Sequence, residues 1–547
     1  MPPVVPPVRS VDLSAPDEPY DAIIVGSGFG GAMVAHALVT AGERVLLIER
    51  GDWVPRGAHN WEPEGVGLRT PFYSRETPLD IRTDRGRTSG GLFTCVGGQS
   101  VFYGGATLRF RPGDFDQHPE ILGDSGAEWP YDYAELEPYY TRVERLLGVA
   151  GESSADPTEG FRSLPYPRRP GELAPISRRL ATAAERLGLH PFRLPLAIAY
   201  PEAGAGPGPG ECIACRTCDG YACAVEAKND LATRVLPELL GRGLRVEVNT
   251  VAVRLASRGR EIVGVDCVDR QTGINTRRVA RKYILAAGAL ASPQLLLGSG
   301  LDRFNPGAGV IGRYLVRHLN LVTFGVFARR PNPERVFDKQ IAIHDFYFGH
   351  PSIRTPAGKL GGIQQLTPPE DLVRAYLGTP LGQVAAAVVR LLSGLLCIAE
   401  DQPRYENGVA IDPTVRDRFG LPQLRVRHRY SARDRVAGRA LVRKAREILR
   451  EAGALVSFVH PIDTFSHAVG TVRMGVDPAR SALDAFCWFR GIDNLWVVDG
   501  SFMPRAGGVN PSLTIAANAL RVGEHLAGLT RTAMGGANTA RGARVHG

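Results

Sequence analysis

The chain has 547 residues, 44% of them hydrophobic, with 64 Gly, 41 Pro and a formal charge of +9. That length exceeds one simple core and calls for two or more domains, and the glycine content favours tight turns and close backbone approach over a helical bundle. No Lys/Arg block forms a nucleic-acid stripe, so no nucleic-acid partner is expected.

Residues 1–18 are Pro-rich, lack an apolar helical run and read as a flexible arm rather than a leader. Y-D-A-I-I-V-G-S-G-F-G-G (20–31), A-M-V-A-H-A-L-V-T-A-G (32–42) and R-V-L-L-I-E (44–49) predict strand, helix and strand. This is the dinucleotide-binding unit. Gly26 permits the tight turn, Gly28 lets backbone approach a pyrophosphate, and Gly31 permits close helix–strand packing. The helix N-terminus stabilises phosphate charge. Glu49 is placed to accept from a ribose, and Arg50 beside it joins the candidate cofactor set. An acid at 49 argues against a 2′-phosphate. The motif alone does not choose between nicotinamide and flavin.

S-G-G-L-F-T-C-V-G-G-Q-S-V-F-Y-G-G-A-T-L-R (89–109) can lay backbone against a flat ring, with Gly97, Gly98 and Ser100 as candidate contacts. It contains no His, which excludes an imidazole-linked flavin in this segment. Residues 212–223, C-I-A-C-R-T-C-D-G-Y-A-C, hold half of the eight cysteines. Free thiols or local disulfides, an iron–sulfur cluster and zinc all remain open for them. No metal ligand is assigned. Cys95, Cys267, Cys397 and Cys487 read as core thiols.

A helix over 225–240, capped by Asn229 or Asp230, leads to alternating strands at 244–255 and 261–269. There Val251 sits where a strand edge meets an adenine. In 281–300, strand, Ala-Gly turn and helix bring Gly288 past the cofactor. From 311 to about 455 the pattern changes to a second domain with strand-like runs at 321–328 and 341–348. The apolar run 384–399 reads as a buried or partner-covered helix; it is too short to span a membrane and is interrupted by Arg390. No stable membrane insertion and a cytoplasmic location are expected. Residues 431–453 form a basic amphipathic helix with a solvated outer face.

The last segment carries F-S-H-A-V-G-T-V-R-M-G (465–475), L-W-V-V-D-G-S (495–501) and A-G-G-V-N-P-S-L-T-I (506–515). With residues 26–49, 97–104 and 285–293, these motifs resemble the glucose–methanol–choline (GMC) family of FAD-dependent oxidoreductases along nearly the whole chain. The bacterial members that oxidise sugar or aminoglycoside alcohols are the subgroup it is most similar to. The resemblance implies an α/β fold: a Rossmann-like FAD-binding domain and an α+β substrate-binding domain on an antiparallel sheet. The expected segments are 19–110, 211–310 and 456–547 for the first, and 111–210 and 311–455 for the second.

The resemblance also implies that His467 and Asn510 form the catalytic pair. Asp499, Gly500, Asn510 and Pro511 would complete the flavin site, and the FAD would be non-covalent. Hydride would pass from a carbinol carbon to flavin N5 while His467 takes the hydroxyl proton. Asn510 would donate to the substrate oxygen. His460 is the weaker candidate nearby. The electron acceptor is dioxygen or another acceptor. The expected substrate is a small polar alcohol, a sugar or an aminosugar such as an antibiotic-biosynthesis intermediate, with residues 341–348 and 400–407 supplying polar and aromatic contacts. Glu400, Asp401 and Glu406 are placed to meet a cationic aminosugar. A choline-like or aliphatic alcohol, or a redox-neutral lyase or isomerase reaction, is the alternative.

Overall fold

The computed structural model describes residues 19–542, other than 216, 354, 371–372 and 374–379. The arm expected over 1–18 lies outside the described residues.

Short strands with buried apolar runs form the first layer. A parallel sheet has the order β18 (Leu495–Val497), β10 (Ala280–Leu285), β1 (Tyr20–Val25), β2 (Val45–Ile48), β6 (Arg245–Glu247). The apolar runs in β1, β2 and β10 follow from burial on both faces. The helix Phe29–Thr40 crosses between β1 and β2. The helix Ser512–Gly542 lies against it. A Cβ added at Gly523 would fall 2.7 Å from the Ala37 Cβ, so glycine allows that close approach. An antiparallel three-stranded sheet, β7 (Thr250–Arg258), β8 (Glu261–Asp269) and β9 (Asn275–Arg278), is inserted before β10.

The second layer is a six-stranded, wholly antiparallel sheet. Its order is β17 (Val456–Pro461), β11 (Leu319–Val326), β14 (Leu392–Ala399), β13 (Gly361–Leu366), β12 (Ile341–Ile343), β5 (Pro191–Arg193). One face carries Leu395, Cys397, Ile363 and Ile341 against the helix Ala432–Glu451, which is capped by Ser431 and Asp434. The other face carries Asn320, Val322, Phe324, Leu396, Ile398 and Gln364, set by the two-residue alternation of the register. A four-stranded sheet joins β15 (Gly408–Arg416) and β16 (Pro422–Arg427) to β3 (Tyr73–Thr83) and β4 (Gly86–Phe93).

The α/β class with a second, antiparallel domain agrees with the reading of the sequence. Several local expectations differ. The helix expected over 225–240 is two short ones, Leu231–Arg234, capped by Asp230, and Leu236–Gly241. Residues 384–399 are not one helix. A helix ends at Val389 and β14 begins at Leu392, a central strand buried throughout and therefore apolar at every position but Ser393 and Gly394. The 341–348 run is strand only to Ile343. β17 pairs with β11, so the six-stranded sheet extends past the boundary expected at 456.

Candidate active site

The first wall of the site is the turn after β1. Gly26 has φ +102°, and a Cβ there would lie 2.4 Å from Ala286 O. A Cβ on Gly31 would lie 1.9 Å from Gly26 O. Gly28 differs: it caps the helix Phe29–Thr40 in an extended conformation, no side chain covers the first N–H groups, and an added Cβ would meet nothing within 4 Å. The helix N-terminus is thus left open to an anionic group, which fits a pyrophosphate.

Glu49 accepts from Ser27 N (3.1 Å) and Ser27 Oγ (2.6 Å) on Oε2 and from Gly51 N (3.1 Å) on Oε1. Acceptor capacity remains on Oε1, which fits a ribose hydroxyl. Burial raises the Glu49 carboxyl, opposed by the Ser27 and Gly51 donors. Ser27 Oγ also accepts from Gly97 N at 2.9 Å, which binds the second glycine loop to the first. Gly98 lies directly over Gly28, 3.3 Å from its Cα as measured from an added Cβ. Asp499 staples the far side: Oδ2 accepts from Gly288 N (3.0 Å) and Ser292 Oγ, and Oδ1 from Ser501 N (2.9 Å).

Between these walls runs a cavity with about 1350 Å³ of non-atom space, including the part open to solvent. Gly26, Gly28, Glu49, Arg50, Gly98, Gly288, Asp499, Gly500 and Pro511 line it. Gly31 and Gly97 stand behind it as packing positions. At two of the expected positions the side chain itself is turned away from the cavity. The Ser100 side chain is fully buried, and its hydroxyl is used internally, donating to Gly97 O and accepting from Leu231 N. The Val251 side chain packs on Val268, Phe419 and Leu421, while its neighbours Thr250 and Ala252 line the cavity.

His467 and Asn510 are brought together from loops: Asn510 Nδ2 is 3.4 Å from His467 Nε2. A third residue, unremarked in the sequence, completes the group. His318 Nδ1 lies 3.0 Å from His467 Nδ1, the rings nearly perpendicular at 89°. His318 Nε2 faces Ala506 O (3.1 Å) and Gly507 O (3.0 Å). Two carbonyls accept only, so His318 Nε2 carries the proton and, in a neutral ring, Nδ1 is an acceptor. His467 therefore donates from Nδ1, and its Nε2 bears the free lone pair. Burial, then the neighbouring His318, then the Lys339 ammonium push the His467 imidazole well below its ordinary value.

His318 has φ +61°, a left-handed conformation that is costly for a non-glycine residue. Asp401 holds it there, accepting from His318 N (2.9 Å) and Arg317 N (3.0 Å) and from His428 Nε2 (2.9 Å). Asp401 thus supports the site from behind and does not meet a substrate amine. Glu400 is likewise turned inward. It pairs with Lys359 at 2.5 Å and accepts from Gly507 N at 3.1 Å, fixing the loop that carries Asn510. Burial would raise the Glu400 carboxyl, but Lys359 and Arg505 hold it low. Glu406 is exposed beside Arg404, 3.5 Å away. His344 and Tyr347, from the segment expected to meet a sugar, are fully buried and pair with Asp156 and Asp114. His460 is exposed on the edge strand β17, opposite Val322.

The cysteine segment packs beside the glycine loop. Lys228 Nζ donates to the carbonyls of Tyr103, Cys218 and Tyr221, and Asp219 pairs with Lys339 at 2.8 Å. All eight cysteines are free thiols, and among the described residues no group of three or more His, Cys, Asp or Glu is arranged to hold a metal ion. Among the described residues, no helix is long and apolar enough to cross a membrane.

Family models described as GMC oxidoreductase match residues 20–320 and 403–519. The chain belongs to the GMC oxidoreductase family, and is an FAD-dependent enzyme that oxidises an alcohol. It is 32% identical to the 6'''-hydroxyparomomycin C oxidase of Streptomyces lividus, over 93% of this chain and 92% of that protein. It is 32% identical to the paromamine 6'-oxidase of Streptomyces fradiae, over 94% and 93%. The pyridoxine 4-oxidase structure from Mesorbium loti has the same fold, with a TM-score of 0.62 at 22% identity over 92% of this chain and 99% of that one.

Proposed function

We propose that the chain oxidises a hydroxyl group of an aminosugar or sugar alcohol to the carbonyl, with His467 as general base. The observation that carries the base assignment is the His318–His467 contact, which leaves the lone pair on His467 Nε2 beside Asn510. Bound FAD supplies the hydride acceptor. His467 Nε2 takes the hydroxyl proton, and its depressed pKa keeps it neutral and ready at physiological pH. Asn510 Nδ2 donates to the substrate oxygen and stabilises its developing negative charge. Gly26, Gly28, Glu49, Arg50, Gly98, Gly288, Asp499, Gly500 and Pro511 hold the dinucleotide and the flavin. The absence of His in 89–109 supports non-covalent attachment there.

The aminosugar reading is supported by two relatives, each 32% identical, whose names specify aminoglycoside oxidation. The sheet face that presents Gln364 to Asn510 also carries Val322, Phe324, Leu396 and Ile398, which favours a second reading, a small aliphatic alcohol. Anaerobic addition of paromamine, hexoses, choline and short aliphatic diols, followed by product mass, decides between them. Bleaching by the amino- and hydroxy-sugars alone supports the first reading. Bleaching by the diols alone supports the second, and conversion of a substrate without net oxidation sinks both.

A further inference from the structure

Beyond His467, Asn510 and His318, a further fully buried polar side chain reaches the site. Gln364 lies in β13, between Ala342 of β12 and Leu396 of β14. Its Nε2 donates to Asn510 Oδ1 at 2.7 Å, and its Oε1 is buried without a hydrogen-bond partner among the described residues.

We infer that Gln364 is a positioning residue that fixes which way round the Asn510 amide stands, and so whether Asn510 offers a donor or an acceptor to His467 and the substrate oxygen. This rests on the reading of His467 as the base.

The direction of every bond follows from one end. The carbonyls of Ala506 and Gly507 place a proton on His318 Nε2. His318 Nδ1 then accepts, His467 Nδ1 donates, and His467 Nε2 accepts. Asn510 must therefore turn Nδ2 toward His467 and Oδ1 away from it. Only a donor at position 364 satisfies that Oδ1. An acceptor there would draw Asn510 Nδ2 to itself and turn Oδ1 toward His467 Nε2. Two lone pairs would then face each other unless His467 moved its proton to Nε2, which abolishes the base. A glutamine is a donor at any pH. Among the described residues no donor reaches Gln364 Oε1, so none of them fixes the opposite orientation.

The test replaces Gln364 with the isosteric acid. Gln364→Glu is a donor while protonated and only an acceptor once ionised. The charged and titratable groups around the pair are His318 from the start of β11, Asp401 behind it, and Lys339 with Asp219. Strand neighbours Ala342 and Leu396 carry no charge.

In the holoenzyme, the flavin-reduction rate is measured from pH 4.5 to 9, with flavin content and thermal unfolding as controls. The parent should rise with pH and then stay level. Gln364→Glu should instead fall by roughly tenfold or more as pH rises through the Glu ionisation, the scale of one hydrogen bond lost or reversed in the transition state. Gln364→Leu, which has neither donor nor acceptor, should lower kcat by roughly tenfold with KM little changed and the parent's pH profile retained.

A Gln364→Glu profile parallel to the parent's overturns the inference, as does an unchanged kcat in Gln364→Leu. If Gln364→Glu loses its flavin, Gln364→Leu alone decides. If His467→Ala keeps the parent rate, the base reading itself has failed. If His467→Ala is inactive while both Gln364 variants behave as the parent, only the role of Gln364 has failed.

Discussion

His318 and His467 face each other through their Nδ1 atoms at 3.0 Å, although 149 residues separate them. The contact places the proton of one ring and the lone pair of the other, and the reactive nitrogen of His467 is set by it. The consequences for catalysis and stability can be measured.

His467→Ala should retain bound yellow flavin and lose alcohol oxidation by ~10²–10⁴-fold, the range for a general base. Rapid-mixing reduction with a good substrate reads it. A rate within about tenfold of the parent is below that range and would remove His467 from the base role.

His318→Phe removes the acceptor for His467 Nδ1–H, so the imidazole is no longer held in one tautomer. Flavin reduction should slow by roughly 10²-fold, near the lower end of the general-base range, while flavin content changes little. The same rapid-mixing measurement, with absorbance at the flavin maximum, separates slowed chemistry from lost cofactor.

The pH dependence has a definite sign. Burial, His318 and Lys339 all depress the His467 imidazole, so the neutral form persists below the ordinary value of about 6.5. The reduction rate should be level through neutrality and fall only on the acid side of that value. The unfolded chain binds the proton more readily, so this group also makes stability rise with pH up to the unfolded value and stay constant above it. A rate limb centred at or above pH 7 would contradict the depressed imidazole.

Gly28→Ala and Gly31→Ala should fail differently. The Gly28 Cβ enters open space, so the apoprotein should keep its unfolding temperature while flavin content drops. The Gly31 Cβ lies 1.9 Å from Gly26 O, so both should fall. Equal loss of stability in the two variants would contradict the open geometry at Gly28.

Glu400→Gln leaves Lys359 with half its buried partners, since Asp114 is the other. Breaking a fully buried pair costs about 3–5 kcal/mol, and the remaining Asp114 should keep the loss near the lower end. Thermal unfolding measures it. A selective rise in KM for cationic substrates with unchanged stability would instead return Glu400 to the substrate surface.

The His467/Asn510 pair was legible only through the resemblance of its motifs to the GMC family; the sequence by itself determined the dinucleotide turn and the order of strands and helices around it. Those features are local. A positive φ at Gly26, a Cβ excluded at Gly31 and a strand–helix–strand hydrophobic pattern are written within a few residues of one another. Over 384–399 the expected helix fails for the complementary reason: a strand buried on both faces and a buried helix have the same apolar composition.

The tertiary structure decided what surrounds the pair. Glu400 and Asp401 looked like substrate carboxylates because adjacent acids have no sequence mark of the side they face. Pairing with Lys359 and with the His318 backbone turns them inward. His318 is one of 12 histidines, with no spacing that ties it to residue 467. Gln364 is a glutamine inside an apolar strand. Both became part of the site only through the register of the six-stranded sheet and the path of the 506–510 loop across it, long-range pairings that no local pattern encodes.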